Sequence, residues 1–148
     1  MNSNQRNSLD YSNAQLDQIS DNTVIDVLPD KTDCESSTKY VLIKHDYYST
    51  DSDFGRQLLK TFLLKLCNSY YNSIVVYLVD KGTKLLDKNN PLYDYYLSFS
   101  RKTKSTIVDM GSIDEYGVNA ELESDIIYQT LDSIAEDVIY LVDLLVLE

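Results

Sequence analysis

The stretch Lys39–Val79, KYVLIKHDYYSTDSDFGRQLLKTFLLKLCNSYYNSIVVYLV, decides the fold. Tyr40-Val41-Leu42-Ile43 is a short, continuous, β-branched apolar run, the pattern of a strand buried on both faces. A polar loop with two adjacent tyrosines runs from His45 to Asp53. Phe54–Leu66 then places apolar residues at 58, 59, 62, 63 and 66, the spacing of one helix face. Asp51, Ser52 or Asp53 can cap its start, and Asn68–Asn72 breaks it. Ser73–Val79 reads as a second buried strand, ending at Asp80-Lys81-Gly82. Two buried strands joined by a helix are the unit of a parallel sheet, because parallel neighbours need a crossover connection.

Toward the C-terminus the alternation continues. Lys84–Asp87 reads as a short helical turn. Asn89-Asn90-Pro91 opens a helix with proline in its first turn, and Leu92–Arg101 sets Leu92, Tyr95, Tyr96 and Phe99 on one side. Thr106–Met110 is predicted as a third strand and Gly111–Gly117 as a loop. Asp125–Ala135 is predicted as a helix with Ile126, Ile127, Leu131 and Ile134 inward, and Val138–Leu141 as a fourth strand. Val142–Glu148 either extends that strand or packs as a fifth element. Strands alternating with helices predict an α/β domain with a mainly parallel sheet of four to five strands. Ligands of such sheets bind outside the carboxyl ends of the strands, here Lys44–Asp53, Asp80–Gly82 and Gly111–Gly117.

Residues 1–38 differ in composition. They are rich in Asn, Ser, Asp and Gln and offer little to bury, so a flexible tail and linker is expected ahead of a domain over residues 39–148. Their one apolar patch, Val24-Ile25-Asp26-Val27-Leu28, reads as an edge strand or a docking peptide. Charge is also unevenly spread: net −5 over residues 1–38, +5 over 39–104, and −11 over 105–148, which hold no Lys or Arg. The overall net charge of −11 argues against a general nucleic-acid or anionic-membrane binder. A basic middle and an acidic end pair within one domain or head-to-tail between copies; the alternative is a solvated acidic helix face. The start has no apolar core of signal-peptide length, and no apolar run approaches a membrane span. Two cysteines, Cys34 and Cys67, lack metal-ligand spacing, and a single histidine excludes a multi-histidine metal site. The expectation is a cytoplasmic protein with reduced thiols.

Several of these segments resemble the DsrE/DsrF-like sulfur-relay family in the same order. They are Tyr40–Ile43, Asp53-Phe54-Gly55-Arg56-Gln57-Leu58-Leu59-Lys60-Thr61-Phe62, Val75–Val79 leading into Lys81-Gly82-Thr83-Lys84-Leu85, Ile107-Val108-Asp109-Met110-Gly111-Ser112, Ser124-Asp125-Ile126 and Ala135-Glu136-Asp137-Val138-Ile139. The likeness spans nearly all of Lys39–Leu141 and is greatest to the C-terminal domain of the YedF-type sulfurtransferase-like proteins linked to selenium metabolism. That domain has a similar Leu-Gly opening to its first helix and a Gly-x-Lys-Leu turn after its second strand. The resemblance implies a flavodoxin-like three-layer sandwich and frequent homo-oligomers. It also implies a relay cysteine in the loop after a central strand, in a Cys-Gly-Thr-Cys-like stretch. Here that stretch is Met110-Gly111-Ser112-Ile113, with methionine where the first cysteine would stand. Persulfide transfer needs a thiolate that can attack and be attacked, and a thioether cannot substitute. The TusA-like domain with its Cys-Pro motif that accompanies such proteins has no counterpart in residues 1–38.

Other thiols and side chains are weighed the same way. Cys67 is in register with Leu59, Leu63 and Leu66 and reads as a buried structural thiol, while Cys34 lies in the linker. His45, Asp109, Ser112 and Tyr116 are the candidate ligand-facing residues. His45 at the end of the first strand is a potential base or phosphate contact, set against a solvated loop histidine. Ser112 and Tyr116 form either a hydroxyl-lined cup or plain turn chemistry. No second histidine completes a Ser-His-Asp set, and no phosphate-cradling glycine motif is present. Thirteen tyrosines suit a protein interface, or reflect compositional bias. The expectation is therefore a non-catalytic binding or assembly protein, with no cofactor, no metal and no catalytic residue, whose partner is another copy or another protein. The alternative is a small-ligand-binding or residual sulfur-transfer enzyme using the strand-end loops.

Overall fold

The computed structural model describes residues 37–122 and 125–148. The expectations for residues 1–36, including Val24–Leu28 and Cys34, lie outside the described residues. Five strands, β1 (Thr38–Ile43), β2 (Ser73–Leu78), β3 (Thr103–Asp109), β4 (Ile126–Gln129) and β5 (Leu144–Leu147), form one sheet in the order β4-β3-β2-β1-β5. Every pairing is parallel. Between the strands lie α1 (Asp53–Cys67), a 3-10 helix over Asp80–Leu86, α2 (Tyr93–Ser100), α3 (Met110–Tyr116) and α4 (Leu131–Val138). This is the three-layer α/β architecture with a parallel sheet expected from the sequence. Its strand order reverses between β1 and β5, whereas the 2-1-3-4-5 order of flavodoxin itself reverses between its first and third strands.

Handedness explains the layers. Parallel crossovers are right-handed, so three successive steps from β1 to β4 leave their helices on one face and the single return to β5 puts α4 on the other. The first face is the main core. There Val41, Ile43, Ile74, Val76, Leu78, Val108 and Leu147 pack against Leu59, Leu63 and Leu66 of α1, Leu85 and Leu86 of the 3-10 helix, and Tyr96 and Phe99 of α2. On the second face Val75, Tyr77 and Ile107 meet Ile134 of α4.

Local chemistry sets the ends of these elements. Ser52 caps α1, its hydroxyl accepting from Gly55 N–H, and Thr130 caps α4 by accepting from Ser133 N–H. Gly55 and Gly82 are positions where backbone passes backbone. A Cβ on Gly55 would lie 1.8 Å from the Thr50 carbonyl oxygen, and one on Gly82 would lie 2.2 Å from that of Ile43. Both glycines of the resemblance therefore have a packing reason to be glycine.

Several sequence expectations are corrected. Gly111–Gly117, read as a loop, is mostly the helix α3, held by the Asp109 carboxylate, which accepts from Gly111 and Ser112 N–H. Asp125–Ala135, read as one helix, is the edge strand β4 followed by the start of α4. Val138–Leu141, read as the fourth strand, is the end of α4 and a turn, and the last strand is Leu144–Leu147. Tyr95, Ile127 and Leu131, read as inward, are 37%, 43% and 57% exposed; on the Leu92–Arg101 segment only Leu92, Tyr96 and Phe99 reach the core. Among the described residues no helix is long and apolar enough to cross a membrane.

Candidate functional site

The carboxyl ends of β1, β2 and β3 bring His45, Asp80, Asp109, Ser112 and Tyr116 to one edge of the sheet. Asp109, the last residue of β3, is only 6% exposed, and its carboxylate caps α3. The Ser112 hydroxyl donates to Asp109 Oδ2 at 2.6 Å and accepts from the backbone N–H of Asp80 at 2.8 Å. Asp80 follows β2 with φ at 52°, a left-handed conformation that costs a non-glycine residue about 1–2 kcal/mol. The Ser112 hydroxyl thus clasps a strained residue and joins the ends of β2 and β3.

The Asp80 side chain is the hub of the exposed part. Its Oδ1 accepts from the Tyr116 hydroxyl, and its Oδ2 lies 4.0 Å from His45 Nδ1, at the outer limit of an ion pair. The hydrogen bond to Asp80, then burial and the negative charges of Asp80 and Glu115, push the Tyr116 hydroxyl up to about 12. The His45 ring stacks on Tyr47 at 4.7 Å, and its Nδ1 has no hydrogen-bond partner. Lys84 Nζ sits 5.2 Å from the Tyr116 ring centroid, a cation–π contact. Beside this group a polar cleft of about 230 Å³ opens between Lys84, Tyr116, Asp87 and the Asp46–Asn90 pair, which hydrogen bonds at 2.9 Å.

His45 and Asp46 turn apart, the one toward Asp80 and the other toward Asn90. The Ser112 proton is committed to Asp109, its oxygen to an N–H, and the residue is 7% exposed, so it is no free nucleophile. Cys67, expected to be buried, is half-buried, with Sγ 4.0 Å from the Ser98 carbonyl oxygen. It ends the 15-residue α1, which begins at the carboxyl edge of the sheet, so a helix of roughly 22 Å separates the thiol from that edge. Among the described residues no three His, Cys, Asp or Glu side chains converge as a metal site.

Sequence reading missed Asp80 as a candidate and left Lys84 and Asn90 out of the site. Its signal for Asp80 was a carboxylate immediately after a buried strand, at a strand end already marked as functional. The long-range partners of Asp80 had no such signal, since Tyr116 lies 36 positions away.

Comparison with known proteins yields a structural likeness alone. The crystal structure of the ychN protein from E. coli matches with a TM-score of 0.49 and 15% sequence identity, covering 74% of this chain and 99% of that one. No family model matches the chain, and no curated protein matches it.

Proposed function

We propose that this chain is a non-catalytic binding or assembly protein on a DsrE-like scaffold, working through self-association or a protein partner and not through sulfur transfer. The observation that carries the reading is the clasp at the third strand end. Where the resemblance calls for a relay thiol, α3 opens with Met110, and the neighbouring hydroxyl is locked between Asp109 and the Asp80 N–H. The position of Cys67 at the far end of α1 supports the same reading. The test is incubation with a low-molecular-weight persulfide donor followed by intact-mass measurement and transfer to an acceptor thiol. No transferable sulfur is expected; stable loading on Cys34 or Cys67 followed by transfer overturns the reading.

A second reading, a small polar ligand held at the strand ends, is favoured by one observation: the unpartnered His45 Nδ1 beside an open polar cleft. It expects His45 and Tyr116 NMR signals to move together on ligand addition, and expects His45→Ala to abolish the response. Ligand-induced shifts that spare both residues count against it.

A further inference from the structure

A charge withdrawn from water ordinarily has a partner of opposite sign. Three half-buried charges, Lys84, Asp46 and Asp87, line the polar cleft at the strand ends, and none of them makes an ion pair among the described residues. The Lys84 ammonium meets the Tyr116 ring, 5.2 Å from its centroid, and no carboxylate. Both carboxylates are held by uncharged donors. Asp46 Oδ2 accepts from Asn90 Nδ2 at 2.9 Å, and Asn90 Oδ1 accepts from the Leu92 N–H at 2.8 Å, which fixes the way that amide faces. Asp87 accepts from the Asn89 N–H at Oδ1 and from the Asn119 N–H at Oδ2. These bonds orient the two carboxylates without neutralising them.

The rest of the lining is partly apolar. Pro91, Val118 and the Tyr116 ring supply that surface. The Asp87–Ala120 bridge and the bond from the Glu121 N–H to the Leu86 carbonyl tie the Val118 segment to the 3-10 helix. Two carboxylates face one ammonium, and Asp80, bonded to the Tyr116 hydroxyl, adds a further negative charge nearby. A lone anion is therefore repelled, and a lone cation leaves Lys84 unanswered. A molecule carrying both charges answers all three. At ~30 Å³ per water, the cleft volume of about 230 Å³ corresponds to roughly eight non-hydrogen atoms, the size of a small α-amino acid.

We infer that this cleft binds a small apolar α-amino acid, its carboxylate on Lys84, its ammonium between Asp46 and Asp87, and its side chain against Pro91 and Val118. This rests on the small-ligand reading of the strand ends and names the class of ligand. The ligand exchanges hydration for charge-assisted hydrogen bonds to groups that are already oriented, so little further ordering opposes binding. The event is binding alone: no bond forms or breaks, in keeping with a Ser112 hydroxyl that is committed to Asp109 and the Asp80 N–H.

Residue-resolved NMR titration of the full chain with L-valine, isobutylamine and isovalerate tests this. The two analogues keep the branched side chain of valine and one of its two charges each. Valine is expected to give saturable shifts at Lys84, Asp87 and Tyr116, and each analogue to bind about tenfold more weakly or worse, as the loss of a hydrogen bond to a charged group predicts. Lys84→Met keeps the stem beside Tyr116 and is expected to bind valine no better than isobutylamine. Its amine binding, unchanged or tighter, shows that the variant is folded. Asp46→Asn is expected to weaken valine and isobutylamine alike, by about tenfold. Absence of valine shifts at the cleft overturns the inference, as does an analogue that binds as tightly as valine, or a Lys84→Met variant that binds valine as the wild type does. An analogue that moves His45 and Tyr116 where valine does not also overturns it, and leaves the small-ligand reading standing. Valine binding that survives His45→Ala supports the cleft as the amino-acid site and strikes only the role of His45 in that reading.

Discussion

Replacing Ser112 by alanine removes one buried hydroxyl and two hydrogen bonds, to Asp109 Oδ2 and from Asp80 N–H. The Asp109 carboxylate keeps its bonds from Gly111 and Ser112 N–H, so the larger loss falls on Asp80. Its amide is left unpaired in a partly buried position, which costs about 1–3 kcal/mol, while its left-handed backbone no longer has the contact that holds it. The expected loss of stability is about 2 kcal/mol, near the middle of that range. With a urea slope of about 1.5 kcal/mol/M, the unfolding midpoint falls by roughly 1.3 M at unchanged slope. Urea unfolding followed by circular dichroism reads this directly. Tyr116→Phe, which removes only the outer bond to Asp80, is the control and leaves the midpoint nearly unchanged. A Ser112→Ala midpoint within about 0.3 M of wild type, well under the shift worked above, would refute the clasp as a structural fastener and reopen Ser112 as a functional hydroxyl.

Gly82→Ala drives a Cβ to 2.2 Å from the Ile43 carbonyl oxygen and is expected to cost about 1–3 kcal/mol or more; a midpoint equal to wild type would contradict the close approach of β1 to the 3-10 helix. Met110→Cys sets a thiol at the first residue of α3, 43% exposed, where the helix start favours thiolate. Persulfide donor is expected to add one sulfur to this variant by intact mass, and no gain over wild type would mean that Met110 does not occupy the relay position. Tyr116 is expected to titrate near 12 in a residue-resolved NMR titration and to fall toward 10 in Asp80→Asn, since the bond to Asp80 is the main cause of the shift. Burial raises Tyr77 and Tyr96 as well, so bulk absorbance does not isolate it. A raised folded value means that the Tyr116 contribution to stability is fully present below pH 10 and is lost as pH rises from about 10 through about 12. A Tyr116 midpoint unmoved by Asp80→Asn would sever the pair.

The legible parts of this chain are those whose signal is local. Tyr40–Ile43 and Ser73–Val79 stand out because a strand buried on both faces must be apolar at successive positions. Leu59, Leu63 and Leu66 stand out because one helix face must meet the sheet. The Ile126–Gln129 strand was hidden because it is a four-residue edge strand whose isoleucines also fit the helical spacing of Leu131 and Ile134. The helix α3 was hidden because Ser112 is its only buried residue, leaving no apolar period to read. His45, Asp109, Ser112 and Tyr116 were named from their place at strand ends, but their division of labour was not visible. Asp109 and Ser112 face inward as cap and fastener, while His45 and Tyr116 face outward around Asp80.

By itself the sequence determined the alternating α/β class, the edge where strand-end chemistry gathers, and the lack of a cysteine in the segment that opens α3. These follow from side-chain type at neighbouring positions, which the chain carries wherever it folds. The tertiary structure alone decided that β5 lies beside β1, that α4 therefore packs on the sheet face opposite α1, and that Ser112 fastens the ends of β2 and β3. Those outcomes depend on the hand of each crossover and on pairings between residues about a hundred positions apart, such as Tyr40 with Leu144. No local pattern of side chains encodes them.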